Sequence, residues 1–162
     1  MEGPAATGSG TTDLATRTRR SPDPVGNRDR LIEATIHCIA TYGPAGATVK
    51  RITDVAGLSR GLVRHHFGGK QALVREAFLR LAGEMRAAFR SDGTGEPDAV
   101  AAMRTAIRNE FEDALASPTR AHAWFGFWQA ALGDPEIRRA NEELYAEERE
   151  HFTELFRLTA QQ

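Results

Sequence analysis

Apolar residues recur at spacings of three and four along most of the chain, and no stretch alternates with the period of a strand. From Arg28, the residues Ile32, Ile36 and Ile39 form one stripe, with Leu31, Cys38 and Tyr42 beside it, until Gly43-Pro44 ends the helix. Thr48 caps a short helix that turns Val49, Ile52 and Val55 inward. Ala56-Gly57-Leu58 is a tight break, and Ser59 caps a second short helix running to about Phe67. Gly68-Gly69 breaks the chain again. A long helix follows from about Lys70 to Arg90, with Leu73, Ala77, Phe78, Leu81, Met85 and Phe89 on one side. After the turn-forming run Ser91-Asp92-Gly93-Thr94-Gly95-Glu96-Pro97, three more helical patterns appear. The first carries Val100, Met103, Ile107, Phe111 and Leu115. The second opens at Ser117-Pro118 and carries Trp124, Phe125, Trp128 and Leu132. The third opens at Asp134-Pro135-Glu136 and carries Ile137, Leu144, Tyr145, Phe152, Leu155 and Phe156. A cap followed by proline at the first helical position explains both of the last two starts. The predicted fold is all-α: a three-helix head, a linking helix, and an α-helical sensor or dimerisation part.

Three segments follow from this pattern. Residues 1–26 hold almost no large apolar group and are expected to be disordered, because nothing in them offsets the ordering entropy. Residues 27–90 make the head and linking helix, and residues 91–162 the sensor. The first 26 residues lack the apolar core of a secretory signal, and no apolar run reaches the roughly 18 residues of a membrane span. The expected location is therefore the cytoplasm, with no membrane partner. One cysteine, Cys38, cannot form an internal disulfide or hold zinc alone, and it sits on an apolar face as a small core residue.

Charge sharpens the division. The net charge of -1 hides 14 Lys/Arg against 6 Asp/Glu over residues 17–90, and 7 against 14 over residues 91–162. A basic block suits a polyanion such as DNA, which the acidic block would avoid. Arg17, Arg19 and Arg20 end the tail and read equally as a DNA-reaching arm or as solvated charge.

Thr48 to Phe67 carries the strongest signal. Two short helices about a glycine turn, with a supporting helix on each side, form a helix-turn-helix that projects its second helix towards a major groove. With Val49, Ile52, Val55, Leu58, Val63 and Phe67 holding the pair on its core, Arg60, Gly61, Leu62, Arg64, His65 and His66 are left as the presented surface, with some of the histidine surface packed, behind the cap Ser59. Arg60 or Arg64 can donate a bidentate pair to a guanine edge, Leu62 can touch a thymine methyl, and Gly61 allows close approach. Thr48, at a helix N-terminus, can hold a phosphate by its hydroxyl and backbone N–H together. Lys50, Arg51 and Lys70 are candidate phosphate clamps. Any one of these cations, taken alone, reads equally as a solvated face; the argument rests on the set.

Residues 28–75 resemble the DNA-binding domain of the tetracycline-repressor (TetR) family. The matching string is Leu31-Ile32-Glu33-Ala34, Tyr42-Gly43, Ala47-Thr48-Val49, Ile52, Val55-Ala56-Gly57-Leu58-Ser59, Gly61-Leu62-Val63, His65-His66-Phe67 and Lys70-Gln71-Ala72-Leu73. The resemblance implies about nine helices and a homodimer on a near-palindromic double-stranded operator, usually as a repressor. A small-molecule effector in the sensor would then move the fourth helix and weaken operator binding, a coupling between two sites. The family usually has a backbone-contacting tyrosine where this chain has Arg64. Further on, Ala123-Trp124-Phe125-Gly126-Phe127-Trp128 and Asp134-Pro135 resemble the sensing domain of the BetI-like branch. That likeness makes Trp124, Phe125 and Trp128 candidate ligand-cavity residues, suited to a quaternary ammonium by cation–π attraction, against the ordinary reading of helical aromatics as core. Members commonly continue for two more helices, so the chain reads as a shortened member. That opens a second function, pairing with a full-length relative instead of binding DNA.

An enzyme fits poorly, and no catalytic residue, cofactor or metal is expected. Glu148 and His151 supply one Glu-x-x-His where a di-iron bundle needs two, and His122 has no glutamate three residues before it. Glu142, Glu143, Glu147 and Glu150 read as a solvated acidic face. No Walker loop, nucleophile elbow or His-Glu-x-x-His is present.

Overall fold

The computed structural model describes residues 24–91, 100–105, 107–108 and 117–160, and side chains throughout these except at residues 24 and 88–91. Every element among them is a helix. The expectations for Arg17, Arg19, Arg20, Phe89, the 92–97 linker, Phe111 and Leu115 lie outside what is described.

Helix α1 (Pro24–Gly46) begins earlier than the apolar pattern suggests. Residues 24–26, assigned above to the tail, form its first turn, where proline fits because the first N–H groups of a helix have no partner. Gly43 has φ 69° and ψ 173°, so the regular helix stops there and Pro44–Gly46 is a separate turn. Helix α2 (Val49–Ala56) follows, capped by Thr48, whose Oγ1 accepts from the Arg51 N–H at 3.3 Å. It ends on Gly57 at φ 63°, with Leu58 N–H donating to the Thr53 carbonyl at 2.9 Å and Gly57 N–H to Asp54 at 3.2 Å. This is a Schellman ending, and only glycine adopts that conformation without strain.

Helix α3 (Arg60–Phe67) and helix α4 (Lys70–Ser91) complete the head and its linker. Helices α5 (Pro118–Gly133) and α6 (Pro135–Thr159) begin as the sequence indicates: Ser117 Oγ accepts from Arg120 N–H, and Asp134 Oδ1 from Glu136 and Ile137 N–H. Residues 100–105 are helical too, and Ala102 and Met103 pack on Leu155 and Phe152.

One buried cluster runs through both halves. Leu31, Ile32, Ile36 and Ile39 of α1 join Leu73, Ala77, Phe78 and Leu81 of α4, Ala123 and Phe127 of α5, and Ile137 and Leu144 of α6. Helix α1 packs most extensively on α5, so the head has no core separate from the sensor helices. The crossing is close because Gly126 sits on it: a Cβ there would lie 2.4 Å from Ile39 Cγ2 and 3.3 Å from the Ile39 carbonyl oxygen. The Phe78 ring meets the edges of Phe127 and Trp124 at 5.6 and 5.8 Å. Cys38 is fully buried, and burial pushes its thiol pKa up. Val55, expected inward, is half exposed, as is Tyr42 at the edge of the α1 stripe. An eight-residue helix buries one narrow face, and Ile52, Thr53 and Ala56 fill that of α2.

Candidate nucleic-acid interface

The two faces of α3 divide by chemistry. Val63 is buried, and Leu62, His66 and Phe67 are half-buried beside it, while Arg60, Gly61, Arg64 and His65 are exposed. Positions 62, 63, 66 and 67 repeat at the helical spacing, and so do 60, 61, 64 and 65. Leu62 packs against the core cluster, so it is a packing residue first, contrary to its placing on the presented surface. His66 is half-buried as well. Its Nε2 is buried without a hydrogen-bond partner, and its ring lies edge-on to His65 at 4.9 Å and Phe67 at 6.2 Å.

The turn residues hold α3 outward. Ser59 occupies the cap position with extended backbone, but its hydroxyl makes no capping bond; the Leu62 N–H donates to its carbonyl instead, at 3.1 Å. Gly68, at φ 77°, closes the far end by donating to the Arg64 carbonyl at 2.9 Å. Arg28 Nη2 lies 2.6 Å from Glu76 Oε2, and its guanidinium stacks 5.3 Å from the Phe67 ring centre, tying α1, α3 and α4 together.

The three expected phosphate clamps are all engaged within the head. Arg51 donates to the Gly46 carbonyl at 2.8 Å and stacks over Tyr42 at 4.8 Å, closing the end of α1. Lys70 Nζ donates to the Pro44 carbonyl at 3.1 Å. Lys50 pairs with Asp54 at 2.6 Å in an exposed i,i+4 contact. Thr48 presents its hydroxyl as expected, but its own N–H is bound to the Gly46 carbonyl at 2.9 Å. Of the ten Lys and Arg side chains described up to residue 87, eight bond to a carboxylate or a carbonyl. The other two are Arg60 and Arg64, on the outer face of α3.

The three aromatics singled out as ligand candidates lie at different depths. Trp124 turns in towards Phe78, whereas Phe125 and Trp128 face outward and pack edge-on against each other at 5.2 Å. Phe125 is 62% exposed. Phe127, not singled out from the sequence, is the fully buried aromatic of α5.

A charged junction also escaped sequence reading. Arg80 of α4 bonds Asp29 of α1 at 2.6 Å and approaches Glu33 at 3.9 Å; Arg120 of α5 reaches Glu84 of α4 at 3.0 Å and Glu33 at 3.7 Å. The hydrogen bond from Arg80 to Asp29 raises the Arg80 pKa, and desolvation raises that of Glu84 against the pull of Arg120. The i,i+4 pairs Asp29/Glu33 and Arg80/Glu84 were the available signal. An open cleft of about 640 Å³ lies beside this junction, lined by Asp29, Arg30, Glu33, His37, Val55 and Arg120 among others.

Residues 31–77 match the family described as bacterial regulatory proteins, tetR family, and residues 99–162 match the C-terminal domain of BetI-type transcriptional repressors. The chain belongs to the tetR family of bacterial regulatory proteins. It is 34% identical over 124 residues to the transcriptional regulator BetI of Stenotrophomonas maltophilia, covering 75% of this chain and 62% of that protein. It is 33% identical to BetI 1 of Chromohalobacter salexigens, covering 69% and 56%. The chain thus spans about three fifths of the length of these tetR-family relatives. Among solved structures, a transcriptional regulator from Pseudomonas aeruginosa PAO1 superposes with a TM-score of 0.77 at 33% identity, over 90% of this chain and 70% of that one. A regulator from Streptomyces coelicolor A3(2) gives 0.69 at 26%, over 79% and 74%. The tetR family accounts for the all-helical architecture, with a helix-turn-helix ahead of a helical C-terminal part.

Proposed function

We propose that this chain is a sequence-specific DNA-binding transcriptional regulator. In this reading it acts as a homodimer on a near-palindromic operator, in the cytoplasm, as a repressor released by a small-molecule effector. The observation that carries the reading is the state of the basic side chains. Among the described side chains up to residue 87, eight of ten are spent inside the fold, and the two that are not stand on the exposed face of the helix that a helix-turn-helix lays in a major groove. Leaving two guanidinium groups unpaired on one short helix invites an anionic or acceptor-rich partner. The alternative of pairing with a full-length relative without touching DNA is not favoured, because it leaves this face without a role.

The effector is a separate matter. The relatives' names point to the BetI type, and Trp124, Phe125 and Trp128 remain the candidate ligand residues of this chain. The effector stays at the level of a small molecule bound by the sensor helices.

The test is selection of bound fragments from a random DNA pool, followed by titration across salt concentrations. The reading expects an enriched inverted repeat and an affinity that falls steeply with salt as counterions are released. Failure to enrich any motif at low salt would end it.

A further inference from the structure

The position of each outward residue around α3 separates two kinds of DNA contact. At 3.6 residues per turn each residue advances by about 100°. The inward positions 62, 63, 66 and 67 then fix the opposite crest of the helix at Gly61. Arg64 and His65 flank that crest by roughly 50° on either side, and Arg60 lies about 90° away, at the edge of the exposed face. Nothing inside the protein asks for glycine at 61. Its φ is not positive, and a Cβ there would meet only Ser59 Oγ at 4.0 Å. Glycine in a helix costs stability relative to alanine, so its place at the crest fits a need outside the chain: the backbone must come very close to something. A crest that approaches closely brings the side chains beside it deep into a groove, and keeps the edge residue near the rim.

We propose that Arg64 is the guanine-reading residue of this regulator, and that Arg60, one turn earlier, is a phosphate contact. The proposal rests on the DNA-binding reading above and deepens it. Arg64 has the free planar fork needed to donate to guanine O6 and N7 together, and no intramolecular bond must be broken first. It stands on the four-residue repeat with Arg60, so both sit on one side of the helix, but only Arg64 leans towards the crest. Arg60 opens the helix next to Ser59, whose hydroxyl makes no capping bond; together they form a polar edge suited to a backbone oxygen.

Selection from a random pool is run with the intact chain, with Arg64→Ala, Arg64→Lys and Arg60→Ala, and each is titrated on the intact chain's best site. The intact chain should enrich a guanine at one symmetric position per half-site. Arg64→Ala should abolish that preference and weaken binding to the best site by roughly 5- to 150-fold, while a site with that guanine replaced is bound as before. Arg64→Lys should lose most of the preference while keeping the charge, since lysine has no fork. Arg60→Ala should weaken all sequences alike and reduce the slope of log affinity against log salt by about one. Thermal midpoints equal to that of the intact chain show that each variant is folded. Retention of the guanine preference in Arg64→Ala overturns the proposal, and so does a uniform loss with a shallower salt slope. Absence of any enriched motif with the intact chain sinks the DNA-binding reading itself, a different outcome.

Discussion

Where α1, α4 and α5 meet, Arg80 of α4 lies against Asp29 and Glu33 of α1, and Arg120 of α5 lies between Glu33 of α1 and Glu84 of α4. On α3, Arg60 and Arg64 are exposed, with no hydrogen bond or ion pair to any described residue. The residue type is the same, and its surroundings differ because each acid is placed to meet one set and none is placed to meet the other. The comparison teaches that basic charge in a head of this kind is not one resource. Most of it ties one helix to the next, and among the described residues of the head a small remainder has no partner within the chain. Net charge alone, which favoured Lys50, Arg51 and Lys70 as much as Arg64, cannot separate the two uses.

The largest effect should come from neither set of arginines. If apolar packing rather than ion pairing sets the junction's strength, Phe127→Ala should cost about 3–5 kcal/mol in urea unfolding. It removes a fully buried ring that touches Phe78. A cost below that of Arg120→Ala would show that the charges hold the junction. Next, Gly126→Ala should cost about 1–3 kcal/mol, since the new methyl would have to displace Ile39. Pairing it with Ile39→Ala should recover part of that loss. Simple additivity of the two would mean that the α1–α5 crossing is looser than the geometry indicates.

The arginines themselves come third. Arg120→Ala should lower stability by about 1 kcal/mol or less, because its ion pairs are partly exposed to water. Arg64→Ala should leave stability within about 0.5 kcal/mol of the parent, because the side chain is exposed and makes no hydrogen bond or ion pair to a described residue. A destabilisation by Arg64→Ala equal to that by Arg120→Ala would erase the distinction between the two regions.

The same contrast explains what could be read from the sequence. Periodicity, Gly57 and the Ser117-Pro118 and Asp134-Pro135 starts placed the helices well, because those signals are local. The outward face of α3 was legible too, since its inward face is apolar at Val63 and Phe67. Not legible was where a long cationic chain would fold back. The carbonyls that take Arg51 and Lys70 belong to Gly46 and Pro44, past the break that Gly43-Pro44 marks in the sequence, but nothing local marks which side chain takes a freed carbonyl. Which rings of the string from Trp124 to Trp128 are buried was not legible for another reason. Five consecutive residues cover more than a full helical turn, so they had to face several directions. Only the crossing with α1, anchored at Gly126, decides that Phe127 is inside and Phe125 outside.

The smallest effect tests the junction most directly. Glu84 faces Arg120 and Arg80, which favour its charge, and Glu33 and desolvation, which oppose it; desolvation is the largest of these, and the folded-state pKa lies above the ordinary 4.5. A carboxyl with a raised folded pKa binds its proton more tightly in the folded chain than in the unfolded one. Its contribution to stability is therefore fully present below the ordinary value and is lost as pH rises through the raised one. Other carboxylates titrate over the same range, so the useful quantity is the stability of the parent minus that of Glu84→Gln, followed from acid to neutral pH. That difference should decline with rising pH and then level off. A difference that climbs instead would mean that Arg120 outweighs burial, and the junction would then be held by attraction where the geometry gives it only compensation.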